Sequence, residues 1–379
     1  MANSKLSRAK NAKKDEFYTQ YYDIEREMSL FLDYNAAVFQ GKTILLPCDD
    51  PEWSNFTKYF AQNFERFGIK KLISTSYAPD SKKFKYGYEP SLFEKDDVKF
   101  DETKTLTKGK IFILEHDITG DGKINVDDLE WDYLDGDGDF LSDEITKLRD
   151  EADIIVTNPP FSLFHQFMEW VTQSGKSFIA ICNKTCATYK DVFPMFKANK
   201  VWSGVSGWSG GMWFETKYED DVDKVVNGVN MKNVASIWIS NIEHGRRHQP
   251  LTLMTMEDNL KFSKHKTIKG RSAYDVYDNY DAIDVPFVDA ISSDYEGIMG
   301  VPLSFLGKYC PEQFEIVGMC ENEDLYHLKT KVYTTQECKD AYIAKFGKKG
   351  TYDLNASGVI RKDGRLEKVF QRILIRHKK

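Results

Sequence analysis

The residues best suited to chemistry are Asn158-Pro159-Pro160-Phe161, at the end of the buried-type, strand-length run Asp153–Asn158. Neither proline can donate a backbone hydrogen bond, and together they stiffen the turn so that carbonyls face outward. The Asn158 side-chain oxygen beside the Pro159 carbonyl makes a pair of acceptors. Such a pair matches the two hydrogens of a planar amino group, and Phe161 can stack on the ring that carries it. Accepting both hydrogens localises the nitrogen lone pair for attack on a methyl sulfonium. No strong base is required, because the nitrogen becomes acidic only as the methyl transfers, so catalysis rests on orientation and electrostatic complementarity. The same tetrapeptide also reads as a plain strand-to-loop stop. The strand before it and the helical pattern after it favour the chemical reading.

Those neighbours belong to a longer alternation. Residues 43–48 read as a strand ending at Asp49 and Asp50, and 53–67 as a helix with Phe56, Tyr59, Phe60, Phe64 and Phe67 on one face. Gly68 suits the C-cap, and 72–77 reads as the next strand, giving a β-α-β unit. Helices are expected over 18–32, 163–172 and 187–199, and strands over 111–114, 177–183 and 234–242. The pattern predicts a doubly wound α/β domain with a mostly parallel sheet, whose ligands bind at the carboxyl ends of the strands. Beyond residue 200 the alternation fades, which puts a domain boundary near 243.

Composition bounds the class. Forty-one per cent apolar and 14% aromatic residues over 379 positions support two or three folded domains. No run of ~18 apolar residues predicts a membrane helix, and the basic start has no apolar stretch behind it to make a secretory signal. A cytoplasmic protein is expected, and the six scattered cysteines are expected to be reduced thiols. The net charge of −7 hides a division. Residues 101–153 carry 17 acids against 6 bases. Basic clusters lie at 1–14, including Lys13 and Lys14, at 244–271, including Arg246 and Arg247, and at 361–379, including Arg372 and Arg376. Counterion release by such clusters drives nucleic-acid binding despite an acidic total, although charge runs are also ordinary solvated surface.

Beyond these local features, the sequence resembles the EcoRI-type adenine-specific (N6) DNA methyltransferase family along nearly its whole length. The resemblance is carried by KKDEFYTQYYDIE (13–25), CDDPEWSNFTKYF (48–60), LDGDGDFLSDE (134–144), ADIIVTNPPFSLF (152–164), NIEHGRRHQPL (241–251), DNYDAIDV (278–285) and MGVPLSFLGKYCPEQFEI (299–316). It implies a Rossmann-like class I S-adenosylmethionine-dependent methyltransferase fold with a C-terminal target-recognition region. The implied organisation is a basic arm over 1–14, a catalytic domain over 15–243 with an acidic insertion at about 79–133, and a recognition region over 244–379. Its implied activity is methylation of a flipped-out adenine in duplex DNA, by a monomer that serves a restriction–modification system or stands alone in a bacterium or phage-infected cell. A cognate restriction endonuclease sharing the site is the implied partner.

Carried over by position, Tyr18 and Thr19 match the motif that contacts the cofactor's methionine moiety. Cys48, Asp49 and Asp50 stand where the cofactor loop begins, and Ser54 and Asn55 occupy the place of its usual glycines. Asp139 and Phe140 match the pair that binds the cofactor adenine, and Asn158, Pro159, Pro160 and Phe161 match the catalytic motif. The wider methyltransferase pattern has a glycine-rich first loop and an acid after its second strand, and this sequence has neither. Competing readings are an NPPF methyltransferase acting on RNA adenine or a protein glutamine amide, and a catalytically silent DNA-binding protein.

A further motif is conspicuous. Residues 117–128 fit a calcium-loop spacing, with oxygen side chains at positions 1, 3, 5, 9 and 12 and glycine at 6. Position 12 is Asp128 rather than a bidentate glutamate, and the loop is single, so an acidic surface turn with no metal is expected.

Overall fold

The structure, a computed structural model, describes residues 17–48, 54–78, 97–216 and 221–378. The chain separates into two compact units, one running to Phe193 and resuming over Val201–Gly245, the other comprising Pro194–Lys200 and the chain from Arg246.

The first unit is built on an eight-stranded sheet. Its strands are β2 (Thr43–Leu46), β3 (Lys71–Thr75), β4 (Lys110–Leu114), β5 (Glu130–Tyr133), β6 (Ile154–Thr157), β7 (Ser177–Asn183), β8 (Trp202–Ser203) and β12 (Ser236–Ser240), in the order β5-β4-β3-β2-β6-β7-β12-β8. The four central strands β3, β2, β6 and β7 are parallel, and each flank adds two strands by antiparallel pairing. The sheet is therefore mixed. β2 and β6 are buried along their whole length, as continuous apolar runs in a covered sheet must be. A second, four-stranded antiparallel sheet joins β1 (Tyr18–Thr19), β9 (Met212–Glu215), β10 (Lys224–Val226) and β11 (Val229–Val234) in the order β1-β9-β11-β10.

Local expectations changed in four places. Tyr18 and Thr19 form β1, and the helix begins only at Tyr21, running to Tyr34. The helix expected over 53–67 is split into Asn55–Gln62 and Phe64–Phe67, because Asn63 leaves helical geometry and bonds the Tyr59 carbonyl through its side chain (2.9 Å). Gly68 ends the second piece in the left-handed conformation, as expected. In the acidic stretch the strand expected over 111–114 forms as β4, and β5 adds an edge strand where an irregular segment was expected. Finally, the helix expected over 187–199 shrinks to Phe193–Lys197, behind a 3₁₀ turn at Lys184–Thr188. Pro194 sits in its first turn, where no backbone donor is needed.

The second unit holds a five-stranded sheet of β13 (Asp275–Val276), β14 (Ala282–Asp284), β15 (Ile298–Pro302), β16 (Phe314–Met319) and β19 (Arg372–His377), ordered β13-β14-β15-β19-β16, plus a separate hairpin of β17 (Val359–Lys362) and β18 (Arg365–Lys368). Among the described residues no helix is long and apolar enough to cross a membrane.

Candidate active site

The buried β6 delivers its chain to Asn158 at the carboxyl edge of the parallel strands. Pro159 and Pro160 stop the ladder there, and the Pro160 carbonyl accepts from Leu163 N (2.9 Å), opening a 3₁₀ turn over Phe161–Leu163 before the helix Phe164–Gln173. Asn158 is half-buried. Its Nδ2 donates to the Phe17 carbonyl (2.9 Å), while its Oδ1 is buried with no hydrogen-bond partner among the described residues. Fixing the amide nitrogen on a carbonyl leaves the oxygen as the open acceptor. A buried acceptor without a donor costs about 1–3 kcal/mol, a penalty that an incoming N–H relieves. Phe161 is half-buried against the core, 6.3 Å from the Phe17 ring centroid, and Phe17 in turn lies 5.8 Å from Phe214.

The short strand β1 ties the predicted pieces together. It pairs antiparallel with β9, Tyr18 opposite Glu215 and Thr19 opposite Phe214. The Phe17 carbonyl takes Asn158, and the Thr19 carbonyl takes the Asn55 side-chain amide at 2.8 Å. Two carbonyls two residues apart thus hold the catalytic turn and the start of the helix Asn55–Gln62. Ser54 is buried and caps that helix, its Oγ accepting from Phe56 N (3.0 Å). The Thr19 and Thr157 hydroxyls are also buried without partners among the described residues. Cys48 is half-buried just past β2. Asp49 and Asp50, like Lys13 and Lys14, lie outside the described residues.

The Asp139 loop is pinned to the end of β3. Ala78 N donates to the Asp137 carbonyl (2.7 Å), and a side chain on Gly138 (φ +83°) would overlap the Ser76 carbonyl. Asp139 Oδ1 accepts from Leu141 N (2.9 Å). Phe140 departs from its implied role. The ring is 4% exposed, in edge contact with Phe167 (6.1 Å) and Trp170 (5.7 Å) of the helix after the catalytic turn. It fastens the loop to that helix and leaves little face for a bound adenine.

Sequence reasoning missed Phe17, whose carbonyl sets the Asn158 amide, and the bond from Asn55 to Thr19. The GDG run before Asp139 did hint at a close backbone approach, which Gly138 makes. Burial perturbs several ionisable groups near these elements, among them Glu27 and Lys184. Glu27, on the helix Tyr21–Tyr34, is pushed up to about 7 by desolvation while accepting from Val205 N (3.2 Å). The Lys184 amine, just past β7, is lowered by burial and donates to the Trp208 carbonyl (3.1 Å).

The proposed phosphate contacts divide. Arg246 is exposed. Arg247 is instead buried and bonded to Asn199, and Arg372 is buried on Asp284 (3.0 Å), which also accepts from Tyr277 Oη (2.6 Å). Both serve the interior of the second unit, because a buried guanidinium must be paired. Arg376 is exposed and paired with Glu315 (2.8 Å). Cys182 and Cys186 bring their sulfurs together, since the 3₁₀ turn after β7 folds one residue back over the other. Cys48, Cys310, Cys320 and Cys338 are in no disulfide.

In the acidic loop, the Asp117 carboxylate accepts from Gly120 N and Gly122 N (2.6 and 2.8 Å). Asp128 accepts from Ile118 N and Thr119 N (3.0 Å each) and Asn125 N (2.9 Å). Among the described residues no group of three acids, histidines or cysteines is placed to hold a metal ion.

Comparison with known proteins fits this arrangement. Residues 5–378 match the family described as "Adenine-specific methyltransferase EcoRI". The chain is similar to the Type II methyltransferase M.EcoRI of Escherichia coli, 36% identical over 333 residues, covering 85% of this chain and 91% of that protein. It is also similar to M.MgeORF184P of Mycoplasma genitalium (33% over 339 residues; 86% and 90% covered) and to M.MpnI of Mycoplasma pneumoniae (30% over 350 residues; 90% and 94% covered), both named Type II methyltransferases. No solved structure matches. With a family match over nearly its full length, the chain belongs to the EcoRI adenine-specific methyltransferase family and is an adenine-specific DNA methyltransferase.

Proposed function

We propose that the enzyme transfers a methyl group from S-adenosylmethionine to N6 of an adenine flipped out of a specific duplex DNA sequence. The observation that carries this reading is the Asn158 amide, anchored through Nδ2 with its Oδ1 buried and unpartnered. That oxygen accepts one amino hydrogen of adenine, the Pro159 carbonyl accepts the other, and Phe161 stacks on the base. Held this way, the nitrogen lone pair points along the line of attack. The N–C bond forms as the C–S bond breaks, and the extra proton then leaves to solvent. Because Oδ1 is buried, the base reaches it only by displacing what covers it. An adenine within a duplex is out of reach of such a site, so flipping follows, at a cost of a few kcal/mol that stacking on Phe161 helps offset.

The residues present suit the donor, which when bound supplies an electrophilic methyl on a sulfonium. The orphaned Thr19 hydroxyl and its neighbour Tyr18 would hold the methionine end. Cys48, Ser54 and Asn55 would frame the loop beside it, and the Asp139 carboxylate, on a loop pinned to β3, would accept from the donor's adenine. The order β3-β2-β6-β7, with antiparallel β12 placed before the edge strand β8, supports a Rossmann-like class I methyltransferase fold. In this reading residues 15–243 catalyse, 244–379 recognise the target, and the basic arm 1–14 and Arg246 meet phosphates. The relatives' Type II naming supports a modification role beside a restriction endonuclease or as a stand-alone methylase, and in this reading the enzyme is a cytoplasmic monomer.

Incubation with methyl-labelled S-adenosylmethionine and duplex DNA, RNA or protein tests it. The label is expected in DNA as N6-methyladenine, and lost with Asn158→Ala. Label in RNA or protein, or an undiminished Asn158→Ala enzyme, overturns the reading.

A further inference from the structure

The hairpin β17–β18 forms a two-stranded sheet of its own, joined to the end of the five-stranded sheet by an antiparallel bridge between Ile360 and Tyr277. Its turn, Asp363-Gly364, has positive φ at both residues (50° and 76°), the tight geometry that suits a twisted two-stranded ribbon. Residues 361–365 are all exposed, and a side chain on Gly364 would meet nothing within 4 Å. The root is rigid. Buried Asn279 accepts from Val359 N (2.9 Å) and donates to the Ser357 carbonyl (3.0 Å), while Ser357 Oγ donates to the Val369 carbonyl (2.8 Å). Val359 and Leu366 pack with Tyr333, Cys338 and Leu354.

Charge on the ribbon is arranged oddly for a purely structural element. Arg361 is tied to Asp278 (2.7 Å) and Glu367 to Lys345 (3.3 Å). Lys362, Arg365 and Lys368 have no ion-pair partner among the described residues. Lys362 and Arg365 lie directly opposite one another in the register, an arrangement of like charges that weakens a hairpin. Asp363 at the turn is a single acid against three cations. Two residues past β18, Phe370 is 86% exposed, on a backbone whose carbonyl is held by Ser357 Oγ (3.1 Å). A rigid stalk, paired cations at the tip and a bare aromatic ring together match a polyanion with apolar faces. Four residues of strand span about 13 Å, and a two-stranded ribbon fits the major groove, about 12 Å wide.

We propose that the Val359–Lys368 hairpin, with Phe370, enters a groove of the substrate duplex, Lys362 and Arg365 lying against phosphates at its tip. This rests on duplex DNA being the substrate. The test compares full-length wild type, the double variant Lys362→Ala/Arg365→Ala and the comparator Lys348→Ala/Lys349→Ala, which removes the same charge from exposed positions elsewhere in the unit. Binding to labelled fragments of unmethylated genomic DNA is followed by anisotropy between 50 and 200 mM salt, with melting temperature as the folding control. The hairpin variant is expected to bind about tenfold to a hundredfold more weakly at low salt, and its slope of log affinity against log salt to fall by about 2, near 0.9 per lost phosphate contact. Wild-type affinity and slope in the hairpin variant, or an equal loss in the comparator, overturns the hairpin's role while leaving the methyltransferase reading intact. Failure of the wild type to bind duplex DNA overturns both.

Discussion

Two oxygen-rich stretches stand out in this chain, and they end up in opposite conditions. In the loop 117–128, Asp117 and Asp128 turn inward and accept from the loop's own backbone N–H groups. At Asn158 the amide nitrogen is satisfied by Phe17 and the oxygen beside it by nothing described. The first stretch is complete as folded, whereas the second is incomplete, and a site is where a fold tolerates an unmet hydrogen bond. An unpaired buried acceptor lowers stability, so a ligand that brings a donor gains what the fold gave up.

The largest test of this contrast is Asn158→Ala. Methyl transfer measured with labelled donor is expected to fall at least a hundredfold, about 3 kcal/mol of transition-state stabilisation. Thermal stability should move little, because the lost bond to Phe17 is offset by removal of the orphaned oxygen. A large drop in melting temperature would make Asn158 a structural residue instead.

Glu27 sharpens the comparison, since its Oε2 also lacks a partner among the described residues although it belongs to no part of the site. Its carboxyl has a folded-state value of about 7 against 4.5 when free. The protonated form is favoured in the folded protein, so its contribution is full below 4.5 and is lost as pH rises through about 7. Glu27→Gln is expected to gain up to roughly 3 kcal/mol over wild type at pH 8 and almost nothing near pH 4.5, by denaturant melts at both pH values. Equal effects at both would contradict the buried acid.

Asp128→Ala strands three N–H groups and is expected to speed hydrogen exchange at Ile118, Thr119 and Asn125 while leaving methyl transfer unchanged. Those N–H bonds hold the Asp128 carboxyl below its ordinary 3.8. The loop's protection is therefore present above 3.8 and lost as pH falls through the depressed value. The smallest expected effect is none. Calorimetric titration of the chelator-stripped enzyme with Ca²⁺ should give no heat, and a saturating exotherm would mean that the loop re-forms around a cation.

The catalytic turn was legible because its elements are local. A continuous apolar run makes β6, two prolines end it, and one helix follows. β2 and the Gly68 cap were readable for the same reason. The long-range partners were not. Asn158 meets a carbonyl 141 positions away and Arg372 a carboxylate 88 positions away, and no spacing rule announces either. Arg372 and Arg365 look alike in a basic tail, yet one is sealed on Asp284 and the other stands in solvent. Even the break at Asn63 follows from a side-chain bond that competes with an otherwise good helical face.

The amino-acid order alone therefore determined the runs that become strands, the rigid stop at Pro159-Pro160 and the presence of an amide acceptor there. Short-range sterics and burial periodicity settle those without reference to distant residues. Only the tertiary structure decided which way the Asn158 amide faces, which cations are buried and which acids are already satisfied. Each of those depends on a partner brought near by folding, and in a dry interior the pairing of a polar group outweighs its identity.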